Sequence, residues 1–370
     1  GDVEFVMPVQ CFVTRRLAYR VCCAVGALAL SVRFAAAETA PMVAHFIDVG
    51  QADATLLEFP CGAVLIDAGA RDQEKADALV AYLQAFFDDP LHTALHHTLD
   101  AIIITHNHID HTRALREIVE SFTVERFIDS GQSTGTGTGE PNWVRNNAET
   151  LHIETRQVAD SEITRLPTRT GLTDDIIDPI DCGDVNPRIR ILSGRMDDNP
   201  GWPQGEWANK NNHSLVTRVD YGESSFLFTG DLEEYAIGTL LDWYRGTTTL
   251  DVDVYHVGHH GSYNGTTRKL LEAMTPAIAV ISMEDAEYGR SHPQEKFTGW
   301  QFGHPRRVTV DLLTQSIATE RATKKTVLVA NGVRDFSPVQ VEKAILATGW
   351  DGTVRIQATT DGRYDAVIER

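Results

Sequence analysis

Four apolar residues, Ala101-Ile102-Ile103-Ile104, run without a break into Thr105-His106-Asn107-His108-Ile109-Asp110-His111. So short and wholly apolar a run has no face to offer water, so it predicts a strand inside a sheet covered on both sides. Such a strand requires flanking strands and two covering layers, which points to an α/β fold. Three histidines and an aspartate then emerge at its carboxyl end, where α/β sheets gather their binding groups.

The same conjunction recurs along the chain. Asp67 ends the strand-like AVLID (63–67), Asp231 follows SSFLFTG (224–230), and His259 and His260 follow DVDVYHVG (251–258). Further strands are expected over 42–50, 54–59 and 214–222, with amphipathic helices over 71–87, 112–122 and 233–244. Segments 267–274, 277–283, 307–313 and 326–330 continue the alternation, while 133–142 and 195–213 read as loops rich in Gly, Thr, Asn, Pro and Trp. Nothing resembles a linker. One α/β domain, built on two sheets or one large mixed sheet, is expected over residues 38–370.

Histidine and carboxylate are a ligand set for zinc, manganese or iron. In an extended segment, residues i and i+2 point the same way, so His106 and His108 can clasp one ion while Asp110 and His111 serve a second. Asp231 could bridge the two. A pair of divalent cations lowers the pKa of water held between them towards neutrality and yields a hydroxide nucleophile. Read singly, the pieces have plainer explanations: Asp231 as a helix N-cap before Leu232-Glu233-Glu234, and HHGS as a helix start. Four strand ends converging on one ligand chemistry favour metal.

The formal net charge is −19, from 33 Lys and Arg against 52 Asp and Glu. So acidic a surface repels polyphosphate at long range and disfavours tight nonspecific nucleic-acid binding, although a local basic patch could offset it at one site. Residues 1–37 differ from the rest. Arg15, Arg16 and Arg20 precede the apolar VCCAVGALALSV (21–32), and an A-x-A pattern ends at Ala37. This predicts a secretory signal peptide, with VTRRLAYR weakly resembling a twin-arginine signal and residues 1–6 an upstream remnant. The stretch is too short for a comfortable membrane span. The protein is thus expected to be periplasmic or secreted. Setting aside Cys11, Cys22 and Cys23 leaves Cys61 and Cys182, either a pair or two separate thiols.

The block HxHxDH with a later GD and HH resembles the metallo-β-lactamase superfamily. FIDVGQADATLLEFPCGAVLIDAG (46–69), NNHSLVTRVDYGESSFLFTGDLE (211–233), VGHHGS (257–262) and ATGWDGTVRIQATTDG (347–362) are similar to the hydrolase domain of ComEC-type DNA-uptake proteins. The resemblance implies a four-layer αβ/βα sandwich with the metals at the edge between two sheets. It implies that His106 and His108 bind a first metal, that Asp110 and His111 serve a second, and that Asp231 bridges. One of His259 and His260 would complete the second site, with His260 favoured, and Asp67 would orient a ligand histidine. Two divalent ions are implied, zinc foremost and manganese as the alternative.

Three departures stand out. The third histidine usual for the first metal is replaced by NNHS, where His213 is the candidate. GQGDA reads GQADA, with Ala52. YGHP reads YGRSHP (288–293), which makes His292 the candidate on the substrate side, alongside Asp110 and Asp231. The apolar channel helices of the DNA-uptake proteins have no counterpart, so a free-standing exported form is expected. The implied reaction is hydrolysis of a phosphodiester or phosphate ester, on a small or short substrate. Two alternatives remain: a lactone, β-lactam or other acyl substrate, with Trp143, Trp202 and Trp207 as an apolar wall, and a non-catalytic binding module.

Overall fold

The computed structural model describes residues 40–166, 169–183 and 185–369. The expected signal peptide lies outside them. Among the described residues no helix is long and apolar enough to cross a membrane.

The principal strands are β1 (Met42–Phe46), β2 (Thr55–Phe59), β3 (Gly62–Ile66), β4 (Ala101–Ile104), β5 (Arg126–Asp129), β6 (Glu154–Gln157), β7 (Arg188–Ser193), β8 (Val216–Tyr221), β9 (Ser224–Phe228), β10 (Val254–His256), β11 (Ile278–Ile281), β12 (Glu320–Gly332), β13 (Asp335–Lys343), β14 (Ile345–Ala347), β15 (Thr353–Ala358) and β16 (Tyr364–Glu369). Two mixed sheets result. The first has the order β16-β15-β1-β2-β3-β4-β5-β6, the second β7-β8-β9-β10-β11-β14. In each, an antiparallel half joins a parallel half: β3 to β6 in the first sheet, β9, β10, β11 and β14 in the second.

β4 lies in the middle of the parallel half, buried at every residue. Its side chains alternate with the pleat. Ala101 and Ile103 join the core between the sheets, with Phe46, Leu57, Val219 and Phe228. Ile102 and Ile104 face the other way, onto Leu79, Leu83 and Phe86 of the helix Gln73–Asp88 and Ile118 of the helix Leu115–Ser121. The outer face of the second sheet is covered by the helices Glu234–Trp243, Arg268–Met274 and Arg307–Ser316, through Ile237, Leu271 and Leu313 among others. These layers form the expected four-layer αβ/βα sandwich.

Three local expectations change, the first being that 195–213, read as a loop, contains the short helix Gln204–Ala208. The segment 133–142, read as a loop, enters the helix Gly139–Leu151 at Gly139. β12 and β13 form a long two-stranded hairpin of which only 326–330 was legible as a strand. Cys61 and Cys182 are joined, with Cα atoms 5.3 Å apart, which resolves the two alternatives for these thiols.

Candidate metal centre

The carboxyl ends of the parallel strands from both sheets meet at one edge. β3 delivers Asp67, β4 delivers His106, His108, Asp110 and His111, β9 delivers Asp231, and β10 delivers His259 and His260. Close approach of the chain segments makes this possible. A Cβ on Gly69 would stand 1.6 Å from the Asp110 carbonyl oxygen, so only glycine lets the β3 end lie against the histidine loop. Gly230 has φ +51°, and its Cβ would stand 2.8 Å from that of Thr105. Leu215 N–H donates to the Thr105 carbonyl (2.9 Å), tying the second sheet to the end of β4.

Two ligand clusters share Asp231. One comprises His106, His108 and Asp231; the other Asp53, His111, Asp231 and His260. Asp231 Oδ1 lies 3.3 Å from His111 Nε2, and Oδ2 lies 3.7 Å from His106 Nε2 and 3.8 Å from both His259 Nε2 and His260 Nε2. Asp110 Oδ2 is 3.4 Å from His260 Nε2. Donor atoms about 2.0–2.1 Å from a tetrahedral ion are about 3.4 Å from one another, so these spacings match ligands around a cation better than direct hydrogen bonds.

Neighbouring groups fix the ring orientations. His111 Nδ1–H donates to Asp67 Oδ2 (2.7 Å), whose other oxygen accepts from Thr105 N–H (2.8 Å). His260 Nδ1–H donates to the Ser282 carbonyl (2.9 Å), and His106 Nδ1 contacts Thr105 Oγ1 (3.2 Å). Each ring therefore turns Nε2 inward. His106 Nε2, His111 Nε2, His260 Nε2 and Asp231 Oδ1 are all buried without a hydrogen-bond partner, while Asp53 Oδ1 lies 3.0 Å from His256 Nε2. Orphaned polar atoms in one dry place are costly unless a cation satisfies them together. His259 and His260 also hold left-handed backbone, both at φ +52°, an arrangement that side chains other than glycine adopt under constraint.

The electrostatics agree. Burial alone would favour the neutral forms, yet Asp231 is held well below the ordinary carboxylate range by His111, His260 and His259. His111 is raised well above the ordinary imidazole value against burial, by Asp231 and Asp67. Burial likewise opposes the proton on His260, but Asp231, Asp110 and Asp53 lift it to about 9. Asp53, though buried, sits at about 2 because of His256, with His260 and His111 contributing. The pocket is built to hold positive charge. His106 departs from this, driven well below its usual value by burial and by His111.

Two expected residues stand elsewhere. His213 accepts from Met196 N–H at Nδ1 (3.2 Å) and places Nε2 on the Trp207 carbonyl (2.9 Å), so the backbone occupies both ring nitrogens and none is left for a metal. His292 stacks on Tyr288 (4.3 Å) with Nδ1 on the Tyr288 carbonyl and Ser291 Oγ. The histidine that abuts the cluster is instead His304, ring-to-ring 5.7 Å from His259 and 6.3 Å from His260, with Gln51 Nε2 donating to its Nδ1 (3.0 Å). Burial and the neighbouring His259 and His260 keep it neutral. Its sequence signal is Gly303-His304-Pro305 ahead of the helix Arg307–Ser316, not the inserted YGRSHP. Asp53 joins the cluster as well, and its sequence signal is GQADA shortly after the first strand. Trp202 and Trp207 pack on each other and on His213, and Trp143 lies beneath Arg116, so these rings pin their segments down.

Residues 47–284 match the Metallo-beta-lactamase superfamily. The chain is 26% identical over 267 residues to ComE operon protein 3 of Bacillus subtilis, covering 68% of this chain and 29% of that protein. It is 37% identical over 94 residues to Recombination protein 2 of Haemophilus influenzae, covering 25% of this chain and 10% of the relative. It thus spans less than a third of either relative's length. Among solved structures, a diphosphatase from the PhnP family aligns over 65% of this chain and 85% of its own at 11% identity, with TM-score 0.34. The short form of human tRNase Z aligns over 65% and 91% at 14% identity, with TM-score 0.32. A match across most of the two-sheet core, carrying HxHxDH and the aspartate shared by both clusters, makes this chain a member of the metallo-β-lactamase superfamily of metal-dependent hydrolases.

Proposed function

We propose that the protein hydrolyses a phosphodiester or phosphate ester with two divalent cations, zinc foremost. The first would be held by His106, His108 and Asp231, the second by Asp53, His111, Asp231 and His260. The observation that carries this reading is the set of buried, unpartnered ligand atoms converging on Asp231. Bound there, the cations would supply an activated water and neutralise the charge that develops on the phosphoryl oxygens. The chain's own residues do the rest. Asp67 and the Ser282 carbonyl hold His111 and His260 in one tautomer and orientation. Asp110, against His260 at the rim of the cluster, is placed to hold a proton of the attacking water, and its partial exposure gives that water a route in. His304, neutral and with Nδ1 occupied by Gln51, retains Nε2–H to offer an anionic substrate oxygen.

A phosphoester is favoured by similarity to the ComEC-type relatives, and the tryptophans once available as an acyl-binding wall are committed to packing. Export is supported by the residues ahead of Ala37 and by the Cys61–Cys182 link, which an oxidising compartment maintains. The net charge favours a small or short substrate over a nucleic acid coated nonspecifically. The test is a panel on metal-loaded protein: bis-p-nitrophenyl phosphate, single- and double-stranded DNA, a lactone and a chromogenic cephalosporin. Turnover of a phosphodiester is expected; turnover of the lactone or cephalosporin alone would overturn the assignment.

A further inference from the structure

A groove of ≈ 570 Å³ is lined among others by Tyr263, Arg268, Arg306, Arg307 and Asp311. Short chain segments connect it to the centre. Tyr263 follows His260 by three residues and Arg306 follows His304 by two. Arg306 N–H donates to the Gly261 carbonyl, and the Thr309 hydroxyl to that of Ser262, both at 2.8 Å.

Three guanidiniums on one groove are out of keeping with so acidic a chain. Many arginines elsewhere sit on carboxylates, as Arg145 on Asp129, Arg190 on Asp220 and Arg321 on Asp351, although Arg113 and Arg334 bond singly to neutral oxygens. In the groove they touch neutral groups. Arg268 donates to Gln315 Oε1 (2.7 Å), Arg306 to the Phe302 carbonyl (3.4 Å), and Arg307 to Asn331 Oδ1 (2.9 Å) and Ser337. Among the described residues none of the three forms an ion pair within 4 Å. Among the described residues Asp311 is the one acid of the lining, so the groove keeps a net positive charge. Arg306 also lies over the exposed ring of Tyr263 (5.7 Å). The remote negative charge does not cancel this. At physiological ionic strength it is screened beyond about 8 Å, whereas guanidinium–phosphate contacts act at hydrogen-bond range.

We propose that the groove is an anion subsite that holds a second negatively charged group of the substrate, next to the one cleaved. The substrate is then a phosphoester bearing a further phosphate or carboxylate, not a singly charged small ester. This rests on the phosphoesterase reading above, and two measurements separate the two claims.

The first titrates inorganic pyrophosphate into the metal-free full chain by calorimetry. Binding is expected to weaken at least tenfold in Arg268→Ala/Arg307→Ala and to be unchanged in Lys269→Ala, an exposed neighbour outside the lining. Arg268→Ala alone, at an exposed position, serves if the double variant does not fold. The second compares KM for a dinucleotide with and without a terminal phosphate on metal-loaded protein. Wild type is expected to favour the phosphorylated form, and the arginine variants to lose that preference. Pyrophosphate affinity unaffected by the arginines, or a KM preference that survives their removal, overturns the subsite. Arginine-dependent pyrophosphate binding in a protein that cleaves no phosphoester leaves the subsite standing and removes the phosphoesterase reading.

Discussion

Among the described residues Asp231 is the one side chain common to both ligand clusters, with one oxygen turned to His111 and the other to His106, His259 and His260. Replacing it with asparagine keeps the shape but removes the charge that two cations would share. We expect wild-type protein to carry nearly two ions per chain by elemental analysis, Asp231→Asn to carry at most one, and turnover to fall at least about 10²-fold. His213→Ala should leave metal content unchanged, because both of its ring nitrogens are already bound by backbone; a lost ion there would restore it as a ligand. At this scale the sequence showed residues whose chemistry is local. His106, His108, Asp110 and His111 stand together on one loop, and Asp67 could be placed behind a ligand by its position at a strand end. What stayed hidden depends on which distant segments meet. His304 comes from 253 residues beyond its partner Gln51, and His213 is adjacent to the site in sequence order but is claimed by the Trp207 turn.

At the scale of elements, the histidine loop stays in place through the Gly69 contact as much as through its own bonds. Ala68 N–H donates to the His111 carbonyl, Asp53 N–H to that of Asp110 and Gly69 N–H to that of Asp53 (2.8–2.9 Å). A methyl group at Gly69 cannot be accommodated without moving that loop, since the clashing atom is backbone. Gly69→Ala is expected to destabilise by more than about 3 kcal/mol in chemical denaturation and to lose metal together with stability. Loss of stability with both ions retained would show that the loop is positioned by other contacts. Strands such as β4 were legible because full burial removes polar residues from them altogether. The start of the helix Gly139–Leu151 was obscured by Gly and Thr, which favour loops locally but here are followed by Val144 packed into the outer core. The hairpin of β12 and β13 was obscured because, apart from Val327, Val329, Ala330 and Val341, its residues are exposed or half-buried, so the apolar signal is confined to a short stretch.

Across the whole molecule, the Cys61–Cys182 link ties the turn between β2 and β3 to the segment leading into β7, closing a loop of 121 residues between the two sheets. Constraining so long a loop restricts the unfolded chain, and Cys61→Ser/Cys182→Ser is expected to lower stability by about 2–5 kcal/mol without changing metal content. An unchanged denaturation midpoint under reducing conditions would show that the link contributes nothing. The α/β character was legible from the alternation of strands and helices and the two-sheet sandwich only from the family resemblance, while the pairing of the two thiols was not legible, because proximity across a sandwich leaves no local trace.

The meeting of strand ends from both sheets has a mechanical meaning as well. His106, His108 and His111 belong to one half of the sandwich, Asp231 and His260 to the other. A cation gripped by both halves is a rivet driven through the seam, and it would hold the sheets shut along the one edge where bare carboxylates and imidazoles otherwise face each other. Ligand occupancy at about 1,000 times Kd is worth about 4 kcal/mol of resistance to unfolding. A chelator should therefore lower Tm by several degrees and speed amide exchange first at the carboxyl ends of β4 and β9, with the far edge at β6 and β16 unaffected. In service, the enzyme's lifetime would then be set by the supply of metal around it as much as by its own packing.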